Sequence, residues 1–157
     1  MPYTDLVIDT NVLVHASNGD ELRQEESVEL LTYLLSSTEV ICIDPEYTGH
    51  ETTNTSYIGY EYLKHLKIGM LGYAFLTTMA QNQRISEVSS TVPVATTRKI
   101  NQCMANNHDR VFIKVAINSN DKILVTHDFT DFAVDKRKHL KKTLQIIVVV
   151  ASEFFDL

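Results

Sequence analysis

This sequence predicts an α/β fold, a three-layer α/β/α sandwich around a mostly parallel sheet of four to five strands, and three observations carry that prediction. Short apolar runs at residues 6–8, 40–43, 123–125 and 146–150 read as strands buried on both faces. Segments with helical periodicity separate these runs, as crossover helices separate parallel strands. The 157 residues are 44% hydrophobic and 22% charged, which suits one domain over residues 1–157 with a sizeable core and excludes disordered or fibrous chains.

Taken in order, Leu6, Val7 and Ile8 form the first strand, ended by Asp9, and residues 11–17 start a helix. Asp20 is the expected N-cap of the next helix, with Leu22, Val28, Leu31, Leu34 and Leu35 facing inward and Glu21, Glu25, Glu26 and Glu29 outward. Residues 40–43 are the second strand, stopped by Asp44 and Pro45. Residues 47–56, rich in Thr, Asn, Gly and Ser, are a loop. Helices are expected at 57–66 and 70–79, a loop or short edge strand within 81–94, and helices at 97–104 and 109–118. A third strand at 123–125, a helix at 129–140 and a fourth strand at 146–150 complete the pattern.

The net charge of −6 conceals a division. Residues 1–62 hold one basic residue, Arg23, against twelve acids, whereas residues 63–157 hold thirteen basic residues against eight acids. Such asymmetry predicts a surface on the C-terminal half that faces a polyanion or a partner. The first sixteen residues contain no Lys or Arg, and Asp5 and Asp9 interrupt their apolar run, so neither a secretory signal nor a transit peptide is expected. No apolar stretch approaches the roughly 18 to 20 residues that span a bilayer, so no membrane partner is expected. Cys42 and Cys103 stand far apart, which argues against a disulfide framework or a cysteine zinc site and points to a reducing, cytoplasmic setting.

The chemistry-bearing residues are acids at strand and helix ends. Asp9 ends the first strand, Asp109 opens the helix feeding the third, and Asp128 and Asp131 follow the third. In open parallel sheets ligands bind outside the carboxyl ends of the strands. Carboxylates crowded there repel one another unless a hard divalent cation, Mg²⁺ or Mn²⁺, neutralises them. The plainer alternatives are a helix cap for Asp9, a first-turn helix charge for Asp109, and turn formers for Asp128 and Asp131.

The runs Val7-Ile8-Asp9-Thr10-Asn11-Val12-Leu13-Val14, Asp109-Arg110-Val111-Phe112-Ile113-Lys114-Val115-Ala116 and Ile123-Leu124-Val125-Thr126-His127-Asp128-Phe129-Thr130-Asp131-Phe132 together resemble the PIN-domain nucleases. The resemblance implies a small α/β sandwich that cleaves RNA, or sometimes DNA, with Mg²⁺ or Mn²⁺ held by three or four carboxylates. It also implies roles: Asp9 as first metal ligand beside Asn11, Asp109 as third acid, Asp128 as fourth with Thr126 bracing its turn, and Asp131 as a further ligand. The family's second acid sits on a middle helix, where this sequence departs from the common spacing. Glu61 fits best, with Glu51 and Glu46 as alternatives and a plain solvent-facing role for Glu61 as the blander one.

Such a nuclease, acting on single-stranded or structured RNA, is compatible with a toxin whose partner is an antitoxin, with a defence or housekeeping enzyme, and with oligomers. A catalytically silent RNA-binding or partner-binding version of the fold is the rival reading. A haloacid-dehalogenase-type phosphatase would need an acid where Asn11 stands. A receiver module would need a second acid beside Asp9 and a phosphate-facing lysine near the last strand. Lys136, Arg137, Lys138, Lys141 and Lys142 are the expected phosphate contacts, against a solvated helix face. Tyr57, Tyr60 and Tyr62 are candidates for stacking on bases or for the core. His108 and His127 each precede a candidate acid and raise a mixed His/Asp zinc site, disfavoured because adjacent helical residues point apart.

Overall fold

The computed structural model describes residues 3–157. Strands β1 (Asp5–Ile8), β2 (Val40–Ile43), β3 (Ile85–Glu87), β4 (Ile123–Val125) and β5 (Ile147–Val149) form one sheet in the order β3-β2-β1-β4-β5, parallel throughout. The helices are α1 (Thr10–Ala16), α2 (Gln24–Ser36), α3 (Tyr57–His65), α4 (Leu71–Gln81), α5 (Val94–Cys103), α6 (Asn107–Asn118), α7 (Val134–Leu144) and α8 (Ala151–Phe154). All four residues of β1 are buried, as a central parallel strand requires. From β1 the chain winds outward through β2 to β3, then crosses back to β4 and β5. With right-handed crossovers, that reversal puts α1, α2 and α4 on one face and α6 on the other, across β1, β2 and β4. It also opens a crevice at the carboxyl ends of β1 and β4, the point where strand order reverses.

Side-chain size controls how closely the helices approach. A Cβ on Gly72 would lie 2.7 Å from the Leu13 carbonyl oxygen, so α4 packs against α1 only because residue 72 has no side chain. Tyr62 of α3 is fully buried, and its hydroxyl donates to the Ile8 carbonyl, tying α3 to the end of β1.

The sheet has the expected strands, and β3 is an edge strand within the stretch 81–94. Four helix starts differ from expectation by two residues or more, each for a visible reason. Helix α2 begins at Gln24 and is not capped by Asp20, because turns closed by Glu21 N–H to Asn18 O and Gln24 N–H to Glu21 O occupy residues 18–24. Leu22 therefore precedes the helix and is 98% exposed, and Leu35 is exposed as well. Helix α5 starts at Val94, directly after Pro93, whose ring fixes φ and sets the helix entry. Helix α6 starts two residues before Asp109, capped by the Asn106 side chain, which accepts from His108 N–H at 2.9 Å. Helix α7 starts at Val134 and continues to Leu144; residues 129–133 belong to a turn.

Candidate metal centre

Asp9 leaves β1 with its N–H donated to the Val125 carbonyl at 2.9 Å, so it is pinned beside the end of β4. It holds the N-cap position of α1, yet its side chain caps nothing. Its Oδ2 accepts instead from the Thr126 hydroxyl at 2.7 Å and from Asn11 Nδ2 at 3.2 Å. Asn11 Oδ1 in turn accepts from His127 N–H at 3.0 Å, and Thr126 Oγ1 accepts from Asp128 N–H at 3.1 Å. Asn11 and Thr126 are thus braces that fix the Asp9 carboxylate relative to the loop after β4.

Glu61 is carried by α3, whose N-terminus is docked on Asp44. The Asp44 carboxylate accepts from the Ser56 hydroxyl at 2.7 Å, Tyr57 N–H at 2.6 Å and Ile58 N–H at 2.8 Å, and Ser56 caps the helix through Gly59 N–H. One turn later Glu61 is buried, and its Oε1 has no hydrogen-bond partner. Asp109, in the first turn of α6, is also buried and leaves Oδ2 without a partner. Asp9, Asn11, Glu61, Asp109 and Asp128 line one cleft of about 310 Å³. Asp131 lies outside that lining, but carboxylate oxygens of Asp109, Asp128 and Asp131 come within 4.8 Å of one another.

Burial pushes the Asp9 carboxyl up to about 6, with the Asp128 charge adding to it and the Thr126 hydrogen bond opposing it. Asp109 is pushed up to about 8 by burial, by its hydrogen bond with Asp131, and by the charges of Asp9, Asp131 and Asp128. No lysine or arginine lines this cleft among the described residues. The acids therefore have no lysine or arginine counter-charge in the cleft, and two buried oxygens lack donors among the described residues. A hard divalent cation fits that donor set: it needs oxygen ligands and offsets both the cost of burying these charges and the repulsion that adds to it.

The bland alternatives divide. Asp9 is no cap and Glu61 does not face solvent, whereas Asp128 is a turn former as well as a cleft residue, its Oδ1 accepting from Thr130 N–H at 3.0 Å and Asp131 N–H at 2.9 Å. That turn is why Asp131 is not on a helix, contrary to expectation. Glu51 lies outside the cleft, paired with Lys67 Nζ at 3.0 Å. Glu46, at a positive φ of 74° after Pro45, accepts from the Thr55 hydroxyl and also lies outside.

The histidines do not converge on one ion. His108 sits on the cleft rim with Nδ1 3.4 Å from Glu61 Oε1 and hydrogen-bonded to the Tyr57 hydroxyl. His127 is buried and turned elsewhere: its Nε2 accepts from Ala151 N–H at 3.2 Å, which leaves the proton on Nδ1, donated to His15 Nδ1 at 2.9 Å. Burial lowers its pKa to about 4 and keeps it neutral. His15 and His65 also line the cleft, His65 Nε2 being 3.8 Å from Glu61 Oε2. Sequence reasoning passed over both; the four-residue spacing of Glu61 and His65 was the available signal for one.

The basic run is not beside the carboxylates as a whole. Helix α7 leaves the cleft end of the sheet after β4 and returns to the opposite end to enter β5, a length of roughly 16 Å at 1.5 Å per residue. Lys141 and Lys142, in its last turn, are exposed at the far end; Lys138 is exposed midway, and Lys136 stands in the first turns. Arg137 is occupied, with Nε donated to the Phe132 carbonyl at 3.0 Å and Nη1 3.2 Å from Glu153. Of the tyrosines, Tyr62 is core, Tyr60 is exposed, and half-buried Tyr57 backs His108.

No protein-family model matches this chain, and no curated protein matches it. No helix among the described residues is long and apolar enough to cross a membrane.

Proposed function

We propose that the chain is a Mg²⁺- or Mn²⁺-dependent endoribonuclease of the PIN-like kind, hydrolysing phosphodiester bonds of RNA. The observation that carries this reading is the pair of buried oxygens without a hydrogen-bond partner among the described residues, Glu61 Oε1 and Asp109 Oδ2, in a cleft shared with Asp9 and Asp128 and lined by no lysine or arginine. Asp9, Glu61, Asp109 and Asp128 would hold the cation, with Asp131 joining from the adjacent turn. When bound, the cation supplies Lewis-acid charge for the scissile phosphate and lowers the pKa of the attacking water. Asn11 and Thr126 keep the Asp9 carboxylate in one orientation, so that little reorganisation accompanies binding. Asp44 does the same for Glu61 by docking α3.

Covalent catalysis finds no support in the cysteines. Cys42 is buried in the sheet, its thiol pushed far above the ordinary range by burial, and Cys103 does not line the cleft. Asp9→Asn should abolish Mn²⁺-dependent cleavage of single-stranded RNA, and Glu61→Gln should impair it far more than Glu51→Gln. Both are measured with purified protein on a labelled oligoribonucleotide. Cleavage by Asp9→Asn at the wild-type rate contradicts the reading, and RNA binding without cleavage by the wild type favours the silent-module alternative.

A further inference from the structure

We propose that Phe129, with Arg23 and Arg137, forms a platform on one rim of the cleft that stacks an unpaired nucleotide and contacts its phosphate, which makes single-stranded RNA the substrate class. The inference rests on the nuclease reading above and specifies how that site takes its substrate. Arg23 is the only basic residue in residues 1–62. Its guanidinium carbon lies 4.2 Å from the centroid of the Phe129 ring, and that of Arg137 lies 5.5 Å from the same centroid. Phe129 directly follows the cleft residue Asp128, and its side chain is not part of the core, being 41% exposed. Arg23 ends the loop joining α1 to α2, which also borders the cleft: Glu21 Oε2 of that loop is 3.9 Å from Nε2 of the cleft residue His15.

Each component supplies something the carboxylates cannot. The cleft lining holds no lysine or arginine among the described residues, so guanidinium or ammonium contacts to the phosphates beside the scissile one come from its rim. Among the described residues the Arg23 side chain has one hydrogen-bond partner, Glu26, through Nη1, which leaves Nε and Nη2 to donate to phosphate. Arg137 is held by Phe132 and Glu153, so it serves mainly as a planar surface beside the ring. A part-exposed aromatic ring with a guanidinium 4.2 Å over it is a stacked surface that suits a nucleobase, which stacks on guanidinium planes as on aromatic faces. Bases inside a duplex are already stacked and cannot reach it.

The test is fluorescence anisotropy of a labelled oligoadenylate dodecamer with millimolar Ca²⁺, compared with the same strand in a duplex. Phe129→Ala and Arg23→Ala should each weaken single-strand binding by about tenfold, within the range known for stacking on one aromatic residue. Phe129→Leu, which keeps apolar volume and removes the π face, should match Phe129→Ala, and Phe129→Trp should retain binding. Arg23→Lys should fall between Arg23→Ala and wild type, since it keeps the charge and loses the plane. The duplex should bind at least tenfold more weakly than the single strand. Wild-type affinity in Phe129→Leu, or equal affinity for strand and duplex, overturns the proposal. A wild type that binds neither also overturns it. Mn²⁺-dependent hydrolysis of bis(p-nitrophenyl) phosphate by the wild type reports separately on the carboxylates. Stacking without that hydrolysis sustains the platform and counts against the nuclease reading.

Discussion

The two ends of β1 each bury an aspartate, and they treat it in opposite ways. At the start of the strand, Asp5 accepts from the N–H groups of Asn120 and Asp121 at 2.9 Å each, while Asp121 accepts from Thr4 and Asp5 N–H. These hydrogen bonds hold the Asp121 carboxyl below its ordinary value against the opposing effect of burial. Asp44, beyond β2, is satisfied in the same manner by Ser56, Tyr57 and Ile58. At the other end of β1, Asp9 is raised by burial and by the Asp128 charge, Asp109 by burial and by Asp131, Asp9 and Asp128, and among the described residues Asp109 and Glu61 each keep an oxygen with no donor. Burial alone therefore does not mark a functional acid here. What separates the two ends is donors and company together: Asp5, Asp121 and Asp44 are satisfied and hold loops and helices in place, whereas Glu61 and Asp109 keep oxygens without donors inside one cleft, where the proposed cation would sit.

That contrast predicts a graded set of effects. The largest belongs to a satisfied acid. Asp44→Ala orphans three donors at the N-terminus of α3 and should cost about 3 kcal/mol, at roughly 1–3 kcal/mol per unsatisfied buried group, read as a lower urea midpoint. A variant as stable as wild type would break the distinction between the two kinds of acid.

The second effect is a pH dependence of the metal-free protein. Asp9 and Asp109 keep protons in the fold that the unfolded chain has released above pH 3.8, so their contribution to stability falls as pH rises, through about 6 and about 8 respectively. His127 acts oppositely: its contribution is complete above its ordinary value of 6.5 and is lost as pH falls through about 4. Above pH 6.5 the falling contribution of Asp109 dominates. The melting temperature in EDTA should drop between pH 6.5 and 8 by an amount of order 1 kcal/mol, about 2–4 °C for a chain of this size. A rise across that window would contradict the assigned repulsion.

The smallest effect concerns the far end of α7. Neutralising Lys141 and Lys142 together should leave the salt dependence of single-strand RNA binding unchanged, whereas a cleft-side phosphate contact such as Arg23 should remove about 0.7 from the logarithmic slope. Equal loss of slope in both would sharpen the comparison differently, by bringing α7 into the RNA path.

Much of the sheet was legible because fully buried parallel strands are written as unbroken apolar runs such as Leu6-Val7-Ile8 and Ile123-Leu124-Val125. Strand β3 was not, since Ile85-Ser86-Glu87 is a half-covered edge with no apolar run. The boundaries of α2 and α7 were misread for one reason: Asn18 and Asp128 accept backbone N–H groups two or three residues on, and such turns compete with helix in a way periodicity does not record. In the cleft, Asp9, Asp109 and Asp128 were legible from their places at strand and helix ends, whereas Glu61, in the middle of α3, was indicated only by the resemblance and stood beside Glu51 and Glu46. The Arg23–Phe129 contact was not, because it joins two loops more than a hundred residues apart with no shared pattern. Nor did the basic run reveal that α7 carries its last two lysines away from the cleft, since direction along a helix follows from the topology and charge counting ignores it.

The central claim, that Asp9, Glu61, Asp109 and Asp128 form a cation site whose repulsion is built into the metal-free fold, is tested most directly by thermal melts of wild type and Asp109→Asn in EDTA and in millimolar Mn²⁺ at pH 7.5. Binding to the native state alone stabilises by RT ln(1 + [L]/Kd), about 2.7 kcal/mol at a hundredfold excess over Kd. The wild type should therefore gain several degrees with Mn²⁺ while Asp109→Asn gains little, and in EDTA Asp109→Asn should melt at or above the wild type. A wild type whose melting temperature ignores Mn²⁺, or an Asp109→Asn protein that melts well below it in EDTA, would contradict the account.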